Sequence, residues 1–345
     1  MPHARPTTTP ANVIPHTSAL RRAWHPVAMS SEVAHDPVQV WLLGEPWALV
    51  RDATGVRAFA DRCPHRLAPI SAGARCDDGT LQCGYHGWRF DLSGACTLIP
   101  ALGPGATIPP RARLAVPAGV AELGGLVWLA PEQPLVALPP VAPPDDAIVG
   151  ILEPARAAVD AGEMIDNFLD AAHFPFVHAG TFGTESSDQV DTYVVAADGD
   201  GFTAVTEHEF ANHEDPGVGA GLRPLVQRRR MTYTYTPPYA ATLLLDYLDA
   251  GGANLILFAI QPERGDTCRV YTVLMRNDLP AEAMAHALEF EQRVLDEDLA
   301  LQTRMSVTLP LDLTVEVHTT ADRLTIELRR CLAAFVKRAS SGGGW

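Results

Sequence analysis

Two short stretches of the sequence, Cys63-Pro64-His65-Arg66 and Cys83-Gly84-Tyr85-His86-Gly87-Trp88, each bring one cysteine and one histidine close together. Each stretch is rich in glycine or proline and stands between runs of residues typical of strands, so each is expected to form a tight turn. Two such loops can bring their side chains to one site and leave backbone N–H groups free to face an anion between them. The pattern therefore predicts one shared metal site with two thiols and two imidazoles as ligands.

Two cysteines and two histidines suit two kinds of metal site. A structural zinc ion would bind all four, but zinc sites usually pair two cysteines or two histidines within one loop. A Rieske [2Fe–2S] cluster instead binds both thiolates on one iron and both imidazoles on the other. One cysteine and one histidine per loop is the arrangement expected if each loop reaches both irons. We therefore predict a Rieske cluster, with a zinc site as the second interpretation and four unrelated loop residues as the third.

A second pattern, Asp170-x-x-His173-x4-His178, lies in a segment that reads as helical. Asp170 and His173 are expected to share a helix face, because residues three apart are neighbours on a helix surface. Pro175 is expected to end or kink that helix near Phe174, which would let His178 turn towards His173. Two histidines and one carboxylate form the facial triad of non-haem iron(II), which leaves positions open for O2 beside a substrate.

The third ligand of such a triad has to come from elsewhere, and the acidic run Asp296-Glu297-Asp298 is the best candidate. Sequence periodicity alone does not choose among the three carboxylates. Taken singly, histidines beside aromatic residues are more often core residues, and an acidic run is more often a solvated helix face. Together with the Rieske pattern, however, the metal-site interpretation becomes the favoured one. An iron–sulfur centre delivers single electrons, and a facial-triad iron consumes them.

Composition and charge exclude several classes of protein. The formal net charge of −15 argues against binding to nucleic acid or to an anionic membrane, since both need a basic face. No apolar run approaches the length of a membrane span, and the N-terminus lacks the apolar region of a secretion signal. Six cysteines in 345 residues are too sparse for a disulfide scaffold, so we expect a reduced, cytoplasmic protein.

The hydrophobic pattern divides the chain into two domains between two flexible tails, which are predicted at residues 1–18 and 339–345. Residues 19–138 read as short strands broken by turns, typical of a small sandwich or barrel, and a proline-rich stretch over 131–146 is a candidate linker. Residues 139–338 read as one helix, a run of six strands and two long helices. These elements are placed at 161–172, 193–277, 280–305 and 320–338. The order predicts an α+β domain in which helices wrap an antiparallel sheet.

The sequence as a whole resembles the Rieske non-haem iron oxygenases, the terminal components of ring-hydroxylating and demethylating systems. Residues 63–66, 81–90 and 167–178 carry the motifs of that family, and the resemblance extends from about Trp24 to the last predicted helix. The chain length and the N-terminal segment 24–27 resemble those of the single-subunit-type monooxygenases that remove methyl groups from nitrogen or oxygen atoms of their substrates. The resemblance implies an α+β fold, with a Rieske all-β domain followed by a helix-grip catalytic domain.

The resemblance also implies a role for each motif residue. It assigns the [2Fe–2S] cluster to Cys63, His65, Cys83 and His86. It assigns a mononuclear iron(II) to His173, His178 and Asp298. It makes Asp170 the bridge for electrons, which joins His173 to the partner subunit's His86 in a homotrimer of head-to-tail chains.

The function implied is that of an oxygenase that takes electrons from an external NAD(P)H-dependent reductase or ferredoxin. It would use O2 to hydroxylate or oxidatively demethylate a small aromatic or heteroaromatic substrate. Ring cis-dihydroxylation or desaturation would use the same metal ligands and is the alternative. A Rieske electron carrier or a zinc-stapled binding protein is more remote, because a carrier needs only roughly the first 140 residues. Five aromatic residues are candidates for the pocket lining: Phe182, Tyr233, Tyr235, Tyr247 and Phe258.

Overall fold

The structure is a computed structural model, and it describes residues 18–103, 105–182, 188–213, 216–264, 267–305 and 308–341. Almost all of the predicted tail over 1–18, and the last four residues of the tail over 339–345, lie outside the described residues. Residues 339–341 were predicted to belong to that tail, but they continue the last helix instead.

Short strands joined by turns form the N-terminal part of the chain. Their bounds are β1 His25–Met29, β2 Val38–Leu42, β3 Glu45–Asp52, β4 Gly55–Ala60, β5 Ala74–Arg75, β6 Leu81–Gln82, β7 Arg89–Phe90, β8 Cys96–Leu98, β9 Gly119–Leu123 and β10 Leu126–Ala130. They pair as three small antiparallel sheets, in the orders β2-β3-β4, β1-β10-β9 and β5-β6-β7-β8. Single turns of 3-10 helix lie at Leu20–Arg22, Ser30–Glu32 and Pro100–Leu102.

One large antiparallel sheet dominates the C-terminal part. Its strands are β11 Ile148–Ile151, β12 Ala155–Ala157, β13 Val194–Asp198, β14 Gly201–Ala211, β15 Val226–Thr236, β16 Ala240–Tyr247, β17 Ala253–Arg264 and β18 Thr267–Arg276. The order is β11-β18-β17-β16-β15-β14-β13, with β12 also paired to β18. The six long strands were predicted from the sequence. The pattern missed β11 and β12, because strands of four and three residues are too short to show a clear alternation.

The helices of the C-terminal part are α1 Ala161–Leu169, α2 Phe174–Val177, α3 Pro216–Gly219, α4 Met284–Gln302 and α5 Arg323–Ser341. Of these, α1, α4 and α5 pack into the core on one face of the sheet. Turns of 3-10 helix at Ala281–Ala283 and Thr320–Asp322 lead into α4 and α5. The predicted α+β class, with an antiparallel sheet wrapped by helices, is confirmed. No helix in the part of the chain that the structure describes is both long and apolar enough to cross a membrane.

The helix predicted over 161–172 is shorter than expected, and this changes the local geometry. It ends at Leu169, and Asp170 is its C-cap with an extended backbone (φ −93°, ψ 117°). The prediction that Asp170 and His173 share a helix face was therefore wrong. Pro175 does not kink this helix either, because it lies in the first turn of α2, where its missing N–H is no loss.

Strand β17 shows how the two parts of the chain fit together. Its even-numbered residues 256, 258 and 260 pack into the core shared with the helices. Its odd-numbered residues 255, 257 and 259 pack against Leu126 and Trp128 of β10. A strand covered on both faces reads as a continuous apolar run, which explains why this stretch lacks alternation. The N-terminal part therefore lies on the face of the sheet opposite to the helices.

A buried carboxyl in α1 makes the stability of the fold depend on pH. Glu163 is only 5% exposed, and its Oε1 has no hydrogen-bond partner. Burial, together with the negative charges of Asp166 and Asp160, raises the pKa of Glu163 from 4.5 to about 7. The folded chain then binds a proton that the unfolded chain releases between these two values. The resulting stabilisation is fully present below pH 4.5 and is lost as the pH rises through 7.

We expect Glu163→Gln to remove this loss of folding stability at high pH. At pH 8 the variant should be more stable than the parent by about 1–3 kcal/mol, while at pH 4 the two should be similar. Urea denaturation followed by circular dichroism at both pH values measures the difference. Glu282→Gln, at an exposed position, is the control and should change neither value. A Glu163→Gln variant with no gain at pH 8 would contradict the account.

Candidate metal centres

The two loops that carry the Cys-His pairs have the same backbone hydrogen bonds. In each, the cysteine N–H donates to the carbonyl five residues later, and the cysteine carbonyl accepts from the N–H four residues later. Both bonds are 2.8 Å long in the Cys63 loop, and they are 2.9 and 3.0 Å in the Cys83 loop. The fourth residue after each cysteine, Leu67 or Gly87, has a positive φ of 59° or 69°. Glycine adopts this conformation without strain, so loop closure must hold the leucine there.

The side chains of the two loops meet at one point. Both thiols are buried, and Cys63 lies within hydrogen-bond reach of Cys83. The rings of His65 and His86 lie side by side with centroids 4.4 Å apart, and His65 also stacks on Trp88 at 4.7 Å. The pair of thiols and the pair of imidazoles thus form the two halves of one site, as a cluster with two unlike irons requires.

Two features of this site fit a bound metal cluster. The Nδ1 atom of His65 is buried and has no hydrogen-bond partner among the described residues. Burial raises the pKa of the Cys63 thiol to about 11, so a metal ion would be needed to hold it as a thiolate. The other nearby cysteines, Cys76 and Cys96, instead contact the oxygens of Gln82 and Leu98.

The two histidines of the second pattern and one carboxylate of the acidic run converge between α2 and α4. The Nε2 atoms of His173 and His178 are 3.1 Å apart, and Oδ1 of Asp298 is 3.4 Å from the first and 3.3 Å from the second. Two ligand atoms that bind one octahedral metal at about 2.1 Å and at right angles lie ~3 Å apart. The Asp298 Oδ1 atom is buried and lacks a hydrogen-bond partner of good geometry. These residues therefore fit a facial triad for iron.

The electrostatics of this group favour a bound cation. Burial alone would raise the pKa of Asp298, but the nearby side chains of His173, His178 and Asn167 outweigh burial and lower the pKa to about 2. Burial alone would lower the pKa of His173, but Asp170 and Asp298 raise it to about 9. The group therefore holds an anionic carboxylate beside a positive charge, and a metal ion that binds there would displace the proton of His173.

The acidic run on α4 separates into three environments, because successive residues of a helix point about 100° apart. Asp298 faces the two histidines. Asp296 is exposed and accepts a hydrogen bond from Gln292 at 3.0 Å. Glu297 lies beside the triad, where its Oε2 is 2.9 Å from Nδ1 of His178. The sequence pattern indicated Glu297 only as a possible metal ligand and gave no sign of this contact.

Glu297 fixes the tautomer of His178. A carboxylate can only accept, so Nδ1 carries the proton and Nε2 presents its lone pair to the triad. The hydroxyl of Thr181 donates to the same Glu297 oxygen at 2.8 Å. Gly180 provides the space for this carboxylate, because a Cβ atom at that position would collide with Oε1 of Glu297.

Asp298 is also supported by polar side chains of α1 and α4. Asn167 of α1 contacts the Asp298 carboxylate, and Gln302 donates to Oδ1 of Asn167 at 2.7 Å. The preceding residue, Asp166, pairs with the buried Arg329 of α5 at 2.6 Å. The three helices around the triad are thus joined by polar side chains that the sequence pattern did not single out.

Asp170 makes a looser contact with the triad. Its Oδ2 is 3.5 Å from Nδ1 of His173, while its Oδ1 accepts from the N–H of Ala172 at 2.8 Å. The side chain of Asp170 remains 30% exposed. One edge of this carboxylate therefore faces the histidine, and part of it stays open to solvent.

The aromatic residues suggested for the pocket have different surroundings. Phe182 stacks on the His178 ring at 4.8 Å, and Phe258 stacks on Phe168 at 4.4 Å. Tyr233 and Tyr247 are buried in the core on the helix-covered face of the sheet. Tyr235 shares that core, and its hydroxyl donates to a backbone carbonyl at 2.8 Å, which gives it a packing role.

Models of two protein families match the chain. A Rieske [2Fe-2S] domain matches residues 23–116, and the vanillate O-demethylase oxygenase C-terminal domain matches residues 158–338. The first match contains both Cys-His loops, and the second contains the triad.

Similar proteins cover almost the whole chain. It is 30% identical over 326 residues to methylxanthine N3-demethylase NdmB of Pseudomonas putida, covering 90% of this chain and 88% of that protein. It is 27% identical over 324 residues to methylxanthine N1-demethylase NdmA of the same species, with 91% and 88% covered. The solved structure of the NdmA QL mutant of Pseudomonas putida CBB5 with theobromine has a TM-score of 0.81 at 25% identity, covering 95% of this chain and 94% of that one.

We expect the Glu297 carboxylate to act as a positioning group for metal binding. Glu297→Ala should lower the affinity of the triad for iron(II) by about 10–100-fold, because His178 loses the acceptor that fixes its tautomer. Competition with a chelator measures this affinity without any turnover. Asp296→Ala changes the neighbouring exposed carboxylate and is the matched control, which should bind iron like the parent.

Gly180→Ala offers an independent test of the same contact. The added methyl group should displace the flexible end of Glu297 and leave the fold intact, so iron affinity should fall while the melting temperature of the metal-free chain stays the same. Parental iron affinity in both Gly180→Ala and Glu297→Ala would show that the contact has no role in metal binding.

Proposed function

This chain belongs to the Rieske non-haem iron oxygenases, and on that premise we propose that it oxidises a methyl group on a small aromatic or heteroaromatic substrate. It would use O2 and electrons from an external NAD(P)H-dependent reductase or ferredoxin. The observation that carries the proposal is the presence, in one chain, of a Cys/His site of Rieske type and a separate triad of His173, His178 and Asp298.

The proposal assigns the metal ligands residue by residue. Residues 19–138 would form the domain that binds the cluster, and residues 139–338 the catalytic domain. The cluster would be held by Cys63, His65, Cys83 and His86. The mononuclear iron(II) would be held by His173, His178 and Asp298. When bound, the cluster supplies single electrons, and the iron provides open positions at which O2 is activated.

The reaction proposed is oxidative demethylation. One oxygen atom enters a C–H bond of an N-methyl or O-methyl group, and the other leaves as water, which consumes two electrons and two protons. The hydroxymethyl product is a hemiaminal or hemiacetal, and it breaks down to formaldehyde and the demethylated compound. The role of the chain is placement, because the methyl carbon has to be held beside the triad while water is kept away. His178, which is 1% exposed, and the Phe182 ring stacked on it support such shielding.

The assembly proposed is a homotrimer in a closed head-to-tail ring. Asp170 would connect His173 of one chain to the partner subunit's His86. Two observations support this: the Asp170 carboxylate is partly exposed next to His173, and His86 is exposed in the chain itself. We also infer a cytoplasmic location, because none of the six cysteines, all within the described residues, forms a disulfide.

In an assay with a surrogate reductase, NADH and a panel of N-methyl and O-methyl aromatic compounds, we expect release of formaldehyde. Its amount should equal that of the demethylated product. The parent should contain about three irons per chain, and Asp298→Ala about two, with the visible spectrum of the cluster unchanged. Asp298→Ala should release no formaldehyde. A cis-diol product formed without formaldehyde would refute demethylation and leave the family assignment in place.

We expect Asp170→Asn to keep both metals and to slow delivery of electrons to the mononuclear iron by about tenfold or more. Single-turnover product formation, started from chains with a reduced cluster, measures that step directly. Asp296→Asn is the control for the loss of a carboxylate and should behave like the parent. Parental single-turnover rates in Asp170→Asn would rule out the bridging role.

A further inference from the structure

Arg229 stands on the face of the large sheet that carries the helices and the triad. In β15 it is paired with His208 of β14 on one side and with Tyr247 of β16 on the other. The residues two and four positions later, Met231 and Tyr233, are buried in the core shared with the helices. Because strand residues alternate between faces, Arg229 points to this same inner face.

Arg229 differs from the arginines beside it in having no acidic partner. Arg228 pairs with Asp249 at 2.8 Å, and Arg230 pairs with Glu207 at 2.7 Å, both on the outer face. Among the residues that the structure describes, no carboxylate lies within ion-pair distance of the Arg229 guanidinium. A half-buried charge without a counter-charge is costly, so its retention calls for a cause.

The contacts of Arg229 hold it in place without neutralising it. Its Nη2 atom is 3.1 Å from Nε2 of His208, and its guanidinium carbon is 4.2 Å from the centre of the Phe210 ring. Burial, reinforced by Arg229, lowers the pKa of His208 to about 4, so this imidazole is a neutral acceptor at neutral pH. The Nε atom of Arg229 is buried and has no acceptor among the described residues. The guanidinium therefore keeps part of its hydrogen-bonding capacity.

Two tyrosines place this cation in the neighbourhood of the triad. The rings of Tyr193 and Tyr233 are 6.1 Å apart. Burial raises the pKa of the Tyr193 hydroxyl to about 12, the charges of Asp191 and Asp170 raise it further, and the charge of Arg229 opposes them. The same two charges act on Tyr233. Both tyrosines thus lie within electrostatic range of Arg229 and of Asp170, which contacts His173.

We propose that Arg229 binds a carboxylate of the substrate, so that the substrate class is an aromatic acid with an N-methyl or O-methyl group. The proposal rests on the demethylase function proposed above and narrows it. A guanidinium donates two parallel hydrogen bonds to a carboxylate, and such charge-assisted pairs set both affinity and orientation. The Phe210 ring packs against the guanidinium at 4.2 Å and supports its position, so the carboxylate would anchor one end of the substrate while the methyl group is presented to the triad.

The test compares the 2-, 3- and 4-methoxybenzoates with the matching neutral methoxybenzamides. Titration calorimetry on the holoenzyme measures binding without turnover. We expect at least one acid to bind about 10–100-fold more tightly than its amide. Arg229→Met should abolish that preference, and Arg229→Lys should retain part of it, because lysine keeps the charge and loses the bidentate geometry. Arg230→Met, on the opposite face, is the matched control and should keep the full preference.

Equal binding of every acid and its amide to the parent would overturn the proposal, even if Arg229→Met failed to fold. A preference that survives in Arg229→Met would also overturn it and leave Arg229 a packing role on Phe210 and His208. Formaldehyde release, measured separately on the same compounds, distinguishes failure of the proposed demethylase function from failure of the proposed role of Arg229. A preference that depends on Arg229 without formaldehyde would contradict demethylation alone. Formaldehyde formed equally from acids and amides would contradict only the role of Arg229.

Discussion

The imidazole of His178 lies between two consecutive carboxylates of one helix, one beside each ring nitrogen, and the arrangement of the candidate iron site depends on this position. Glu297 accepts a hydrogen bond from Nδ1–H, while Asp298 lies 3.3 Å from Nε2. Both can reach one ring only if α4 lies close alongside the turn that follows α2. Gly180 permits that approach, and Asn167 fixes Asp298 from the other side. The position of α4 thus sets the orientation of the ring and the identity of the third ligand together.

The break between α1 and α2 gives His173 and His178 their common direction. A continuous helix would place residues five apart on different faces, about 140° from each other. Asp170 ends α1 with an extended backbone, and Pro175 begins the next turn of helix, so the two imidazoles converge at 3.1 Å. The sequence indicated that proline would interrupt the helix. It could not show that the interruption falls five residues earlier, because a C-cap conformation is decided by packing against the rest of the chain.

Local patterns predicted the parts of the molecule that local chemistry decides. The spacing of cysteine and histidine in two turn-rich loops indicated a shared site, and the long strands showed their alternation or their apolar runs. The choice of Asp298 among three acidic residues needed the rotation of α4, which is a tertiary property. The role proposed for Arg229 could not be predicted for a similar reason. In the run Arg228-Arg229-Arg230, only the pairing of β15 with both neighbours shows which arginine has no acidic partner among the described residues.

The large sheet separates the N-terminal part, which contains the Cys/His site, from the helices that carry the triad. Odd-numbered residues of β17 pack against β10 of the N-terminal part, while its even-numbered residues face the helices that carry the triad. The sheet and the apolar layers on both of its faces lie between β10 and the helices that carry the triad. Transfer from the exposed His86 of one chain to the exposed edge of Asp170 on another would avoid that barrier. The division of the fold into two faces is therefore a physical reason to propose that electrons pass between chains, and on that proposal a closed ring of subunits would be part of the mechanism.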